Sequence, residues 1–145
     1  MSLQVHVLRM NPGDDLRGAL ETAFRGIRAG GVEAACVVSA LGSLSCAVLR
    51  YADQPGGTLC DGPLELLSLS GTLSLDGPHL HASVADAQGE VRGGHVMRGC
   101  IVRTTAEIVL ALLPGWQFRR EVDAATGFLE LVASHTGHGP QTLGK

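Results

Sequence analysis

Alternating apolar and polar positions begin the chain and then give way to a helical repeat. Residues 3–10 alternate and are rich in Val and Leu, which predicts a strand. After a break at 11–15, apolar residues recur every three or four positions, which predicts a helix with one buried face. Asp14 and Asp15 suit the positive end of the helix dipole, and Gly30 with Gly31 ends the helix.

The rest of the chain mostly has the alternating pattern of strands. The apolar run 33–51 is too long for one strand, so we expect Gly42 and Ser43 to divide it into two. Residues 64–75 alternate around Gly71, which indicates a bulge or a site of close packing. Residues 95–102 also read as a strand, whereas 104–115 predicts a short second helix. "WQFRREV" and "FLELVAS" flank the turn "DAATG", which is typical of a hairpin.

Predicted strands outnumber predicted helices about three to one, and most of them are joined by short turns. The pattern therefore predicts an α+β fold with a mainly antiparallel β-sheet and two helices. We expect one domain over residues 1–134. The segment 135–145 has almost no apolar content, which predicts a disordered C-terminal tail.

Composition narrows the classes of function. The 145 residues carry a formal net charge of −3, so no overall basic field attracts the chain to nucleic acid. No apolar run is long enough to span a bilayer, and the N-terminus lacks the pattern of a signal peptide, so we expect a cytoplasmic protein without a membrane partner. The four cysteines contain no C-x-x-C pair, and we interpret them as buried thiols in a reduced compartment, with a disulfide as the alternative.

Three of the six histidines lie within the seventeen residues "HLHASVADAQGEVRGGH". In a strand His79 and His81 point to the same face, because residues i and i+2 share a face. A hairpin centred on Gln88 pairs residues whose numbers sum to 176, so His81 lies opposite His95 unless Gly93 and Gly94 add a bulge.

Three imidazoles on one patch predict a metal site, with zinc as the expected ion and another divalent metal as the alternative. They would leave a fourth coordination position open, as catalytic zinc sites do. The other interpretation is a set of polar residues on a solvent-exposed strand face.

Two further residues are candidates for a role beside the metal. Glu65 is the candidate nearby carboxylate, with a solvent-facing strand residue as the alternative. Arg120, next to Arg119, is a candidate for binding an anion, with a solvated arginine pair as the alternative. The chain lacks the glycine-rich phosphate-loop motifs and the G-x-S-x-G context of a serine nucleophile.

The order of several motifs resembles the PPC (plants and prokaryotes conserved) domain family over residues 5–132. The motifs are "MNPGDDL", "VVSALGSL", "GPLELLSLSGTLS", "HLHASVADAQGEVRGGHV", "TAEIVLALL" and "FRREVDAATGFLEL". The resemblance implies an antiparallel α+β fold assembled as a homotrimer. It also implies a metal on His79, His81 and His95, which match the histidines that carry a metal in some members. Plant members join the domain to AT-hook motifs that bind DNA, and this chain has no R-G-R-P hook.

Two functions from different classes follow. The first is a trimeric metal-binding protein acting on a small anionic substrate, in which Glu65 assists as a base and Arg120 holds the negative charge of the substrate. The second is a DNA-binding or regulatory interaction module. The balance of 11 Lys and Arg against 14 Asp and Glu disfavours strong phosphate binding.

Overall fold

The computed structural model describes residues 3–137, which form one helix and eight strands. The elements in chain order are β1 Gln4–Met10, α1 Leu16–Ala29, β2 Ala35–Arg50, β3 Thr58–Ser74, β4 Gly77–Ala85, β5 Val91–Val96, β6 Ile101–Leu112, β7 Trp116–Val122 and β8 Leu129–His135. The mainly antiparallel sheet is confirmed. In the part of the chain described, α1 is the single helix, so the prediction of two helices is wrong.

The main sheet has six strands in the order β1-β6-β2-β3-β4-β5, and all of its pairings are antiparallel. Its last strand, β5, also pairs with the end of β2, where Leu49 lies opposite Val96 and Arg50 lies opposite His95. The sheet therefore curves until its edge strand meets a strand near its centre. Strands β7 and β8 form a separate two-stranded hairpin, as the turn "DAATG" predicted.

Helix α1 forms where the sequence predicted it. The Asp15 carboxylate accepts a hydrogen bond from the Gly18 N–H at 2.7 Å and caps the first turn, and Gly30 caps the other end. The apolar face of the helix buries Leu16, Leu20 and Phe24 against the sheet. This face and the inward side chains of the strands make one core, so the helix closes one side of the curved sheet.

The predicted helix over 104–115 is wrong, because these residues belong mostly to β6. The apolar residues of this segment have a spacing that resembles a helix, although the segment is a strand that pairs with β1 on one side and β2 on the other. A strand between two others is buried on much of its surface, so its apolar residues run nearly continuously and blur the alternation. The strand predicted over 95–102 is also divided, because a turn at Arg98 and Gly99 separates β5 from β6.

The predicted division at Gly42 and Ser43 is wrong as well, since β2 runs through both residues. A side chain at Gly42 would overlap the backbone of Thr105 and Ala106, so this glycine permits close strand packing. Gly71 has the same function, at φ +146°, where a Cβ atom would overlap the His79 carbonyl oxygen. His135, predicted to begin the tail, is the last residue of β8, and 138–145 lie outside the described residues.

Candidate metal centre

The hairpin of β4 and β5 has the register that the sequence predicted. His81 lies opposite His95, and the pairs continue without a bulge through Gly93 and Gly94 to Ala85 and Val91. The turn is stabilised by Asp86, whose Oδ1 accepts hydrogen bonds from the backbone N–H groups of Gln88 and Glu90 at 3.0 and 2.9 Å. Asp86 is therefore a turn residue.

Strand alternation directs the histidines away from the core. Leu80, Ala82 and Val84 are buried in the hydrophobic core, whereas His79 and His81 alternate with the buried residues of β4 and lie on the opposite face. His81 is exposed, and His79 and His95 are half-buried. The three imidazoles therefore meet on the outer face of the sheet, where a solute can reach them.

The ring nitrogens of the three histidines converge. One nitrogen of each lies within 4.8 Å of the others, and the Nε2 atoms of His79 and His81 are 3.3 Å apart. The ring centroid of His79 is 5.2 Å from that of His81 and 4.9 Å from that of His95. The third pair, His81 and His95, is 5.5 Å apart. We call these three residues the histidine cluster.

The geometry of the histidine cluster fits a metal ion. Two nitrogens bound tetrahedrally to one zinc at about 2.0–2.1 Å lie roughly 3.3–3.4 Å apart, which matches the separation of the His79 and His81 nitrogens. The His95 Nδ1 atom is buried and has no hydrogen-bond partner among residues 3–137. Buried polar atoms normally have a partner. The donor set, three imidazoles with an exposed side, suits zinc or another divalent transition metal.

The surroundings keep two of the imidazoles neutral. Burial, and after it the positive charges of the neighbouring His79 and Arg50, together lower the pKa of His95 to about 4. Burial also lowers the pKa of His79, with Arg120 as the next cause. Neutral imidazole is the form that binds metal, so these shifts favour coordination near neutral pH.

Arg120 and Glu65 differ in their relation to the histidine cluster. Arg120 lies beside it, because its Nη2 donates a hydrogen bond at 3.0 Å to Thr72 Oγ1, and Thr72 lies opposite His79. Glu65 is exposed on β3, five positions from the residue opposite His81, which is roughly 15 Å along a strand. Within one chain the structure therefore brings Arg120, and not Glu65, to the three histidines.

Two residues beside the histidine cluster, Arg50 and Glu130, were not predicted from the sequence. Arg50 lies opposite His95 through the pairing of β2 with β5, and Glu130 lies close enough to raise the pKa of His79. The β4–β5 register could be computed because its two strands adjoin in sequence. The contact of Arg50 depends on strands some forty-five residues apart, and no local pattern reports such a pairing.

Comparison with known proteins places the chain among described families. Residues 1–114 match the Plants and Prokaryotes Conserved (PCC) domain. A curated relative, the bifunctional protein GlmU of a Synechococcus strain, is 52% identical over 130 residues, which cover 90% of this chain. The chain spans only about a fifth of the length of that relative, 20%.

Solved structures have the same fold. A hypothetical protein from Salmonella enterica superposes with a TM-score of 0.85 at 40% identity, covering 92% of this chain and 95% of the other. A metal-containing protein from Archaeoglobus fulgidus superposes with a TM-score of 0.70 at 31% identity, covering 88% and 91% of the two chains.

Proposed function

The chain belongs to the Plants and Prokaryotes Conserved (PCC) domain family, and we propose that it binds a divalent metal through His79, His81 and His95. Zinc is the ion that we expect. The observation that carries the proposal is the convergence of three ring nitrogens within 4.8 Å on an accessible face of the sheet. The similarity to a structure described as metal-containing supports it.

A zinc ion held by three imidazoles would keep one position open for a small ligand, where it polarises a carbonyl group or activates water. Arg120 is the residue placed to hold the negative charge of that ligand, because its guanidinium adjoins His79 through Thr72. Glu65 is too distant to assist as a base in its own chain.

Zinc stoichiometry after dialysis against a weak chelator tests the proposal. We expect one zinc per chain in the wild type and none in the variant with His79, His81 and His95 all replaced by alanine. His6→Ala is the matched control, because His6 lies on β1, outside the cluster. A wild type without zinc, cobalt or nickel, or a triple variant that keeps its metal, would refute the proposal.

We also propose that the domain works as a homotrimer in the cytoplasm. Large apolar side chains are exposed on both sides of β6: Val5 and Val7 on β1, and Val38 and Leu41 on β2. Such a set of exposed apolar residues is typical of a contact surface. Light scattering should give three times the mass of one chain, and the mass of a monomer at micromolar concentration would contradict the assembly.

The proposed compartment is supported by the four cysteines, which are free thiols and suit a reducing environment. Within residues 3–137 no helix has the length and apolar character to cross a membrane.

DNA binding is the competing function, and it rests on the plant branch of the family. The formal net charge of −3 disfavours it. A salt titration of binding to duplex DNA distinguishes the two functions, because phosphate contacts produce a steep fall of affinity with salt. We expect no measurable affinity near physiological salt, and a steep slope there would favour the DNA-binding function.

A further inference from the structure

Two arginines lie on opposite sides of the histidine cluster. Arg50 lies directly opposite His95, and paired residues of antiparallel strands share a face, so its side chain leaves the sheet on the side of the imidazoles. Arg120 reaches the other side through its hydrogen bond to Thr72 Oγ1. The cluster therefore lies between two guanidinium groups.

Acidic side chains lie near Arg120, but within residues 3–137 neither of these two arginines forms an ion pair. The ion pairs within residues 3–137 join Arg17 and Arg98 to Glu21, so neither Arg50 nor Arg120 has one. Asp76 and Glu130 lie in the electrostatic surroundings of Arg120, but the Nε of Arg120 is buried without a hydrogen-bond partner in the described chain. A buried donor without a partner costs free energy, so a ligand oxygen that accepts a hydrogen bond from it would be stabilised at this position.

Metal binding would add positive charge to this site. Neutral imidazoles contribute no negative charge, so the two charges of the ion would add to those of Arg50 and Arg120, against which Asp76 and Glu130 provide two negative charges. Like charges in a partly buried site repel each other, and an anionic ligand relieves that repulsion. A ligand with two negative charges would compensate the remainder, whereas a ligand with one would compensate half of it.

The separation of the arginines indicates the shape of the ligand. Three strand-to-strand steps and two residues along β4 separate the Arg50 and Thr72 positions, which limits the distance between their Cα atoms in the curved sheet to at most roughly 16 Å. The imidazoles lie between the Arg50 position and the Arg120 guanidinium at Thr72. An extended ligand with a charge at each end fits this arrangement better than a compact anion does.

We propose that the site binds a small dicarboxylate, with one carboxylate held by Arg50, the other held by Arg120, and the metal at His79, His81 and His95 coordinated by an oxygen of the ligand. This inference rests on the proposed metal-binding function. Arginine suits the role because its planar guanidinium binds a carboxylate through two parallel hydrogen bonds.

Cobalt(II) loading provides the test, since its visible absorption reports both metal binding and a change of the fourth ligand. Succinate, acetate and inorganic phosphate are titrated into the cobalt-loaded wild type. We expect succinate to bind at least about tenfold more tightly than acetate or phosphate, since a second charge-assisted contact adds at least that factor. Equal affinities for succinate and acetate would overturn the inference, and so would tighter binding of phosphate.

Arginine variants locate the effect. Arg50→Gln and Arg120→Gln should each weaken succinate binding about tenfold and should weaken acetate binding by less than that factor. The control is Arg119→Gln, since Arg119 is the exposed neighbour of Arg120 on β7 and should change neither affinity. Arg120→Lys keeps the charge without the paired donors and should lie between the wild type and Arg120→Gln. Succinate binding that is unchanged in both Gln variants would refute the assignment.

The two proposals fail in different ways. A wild type with the absorption of histidine-bound cobalt and no preference for succinate retains the metal site and refutes the dicarboxylate. A wild type in which cobalt produces no such absorption refutes both.

Discussion

Two sets of residue types that can bind zinc lie in this small domain, and within residues 3–137 only the histidines bring their donor atoms together. The histidine cluster is on the outer face of β4 and β5, with ring nitrogens that converge and two imidazoles whose pKa values are lowered. A second group consists of Cys46, Cys60 and Cys100, which we call the cysteine group. Both contain residue types that bind zinc.

Cys46 and Cys100 form hydrogen bonds with the backbone of the fold instead. The Cys46 Sγ donates to the Gly99 carbonyl at 3.4 Å, and the Cys100 Sγ accepts from the Val48 N–H at 3.3 Å. Burial raises the pKa of the Cys100 thiol to about 11, so the metal-binding thiolate is disfavoured. Convergence of the donor atoms distinguishes the histidine cluster from the cysteine group. Burial favours the neutral forms of His79, His95 and Cys100, and the neutral form is the binding form of histidine but the inert form of cysteine.

Replacing one of the three histidines should have the largest effect, which is a loss of zinc affinity. Replacing His81 by alanine should lower zinc affinity by more than about 100-fold, because losing even a supporting residue of a metal site costs about 10–100-fold. His81 is expected to matter most, since it adjoins His79 on β4 and lies opposite His95. Competition with a chromophoric chelator measures the affinity. Cys100→Ala is the matched comparison from the cysteine group and should leave zinc affinity unchanged.

Gly71→Ala would disturb the strand behind the cluster. A Cβ atom at this position would overlap the His79 carbonyl oxygen, and φ is +146°. We expect a loss of about 2–3 kcal/mol in the free energy of unfolding, as overpacked positions show, together with weaker zinc binding. Gly26→Ala on α1 is the control, because nothing lies within 4 Å of its added Cβ, and it should stabilise the fold by about 0.5–1 kcal/mol. Urea denaturation measures both, and equal stability of the two variants would contradict this account of Gly71.

Cys100→Ala should affect stability alone. The substitution removes the acceptor of the partly buried Val48 N–H, and an unsatisfied buried donor costs up to about 1–3 kcal/mol. Urea denaturation of the metal-free protein should show this loss, whereas chelator competition should show unchanged zinc affinity. A variant of wild-type stability that binds zinc more weakly would assign the cysteine group a role that we do not propose.

Acid should weaken the metal-free fold through His95 by a smaller amount. Its pKa is about 6.5 when unfolded and about 4 when folded, so the unfolded chain binds the proton first as pH falls. The contribution of His95 is complete above pH 6.5 and is lost between there and about pH 4. The free energy of unfolding should fall less steeply over this range in His95→Gln than in the wild type. Parallel profiles would contradict the lowered pKa, and His6→Gln should follow the wild type.

Much of the site could be predicted from sequence because it is local. The hairpin of β4 and β5 has a short turn, so strand alternation and one assumed centre at Gln88 place His81 opposite His95. Strand β6 could not be recognised in the same way, because its position between β1 and β2 removes the polar alternation that identifies a strand. Arg50 was missed for a related reason, since only the curved sheet brings the end of β2 to β5.

X-ray absorption at the zinc edge tests the central claim most directly, because it distinguishes the two groups of ligands by element and distance. The account predicts a first shell with about three imidazole nitrogens at about 2.0–2.1 Å and one oxygen ligand, from water or a bound solute, beside them. A shell of sulfur at about 2.3 Å would assign the metal to the cysteine group. That result, or a shell of oxygen without imidazole scattering, would contradict the metal site on His79, His81 and His95.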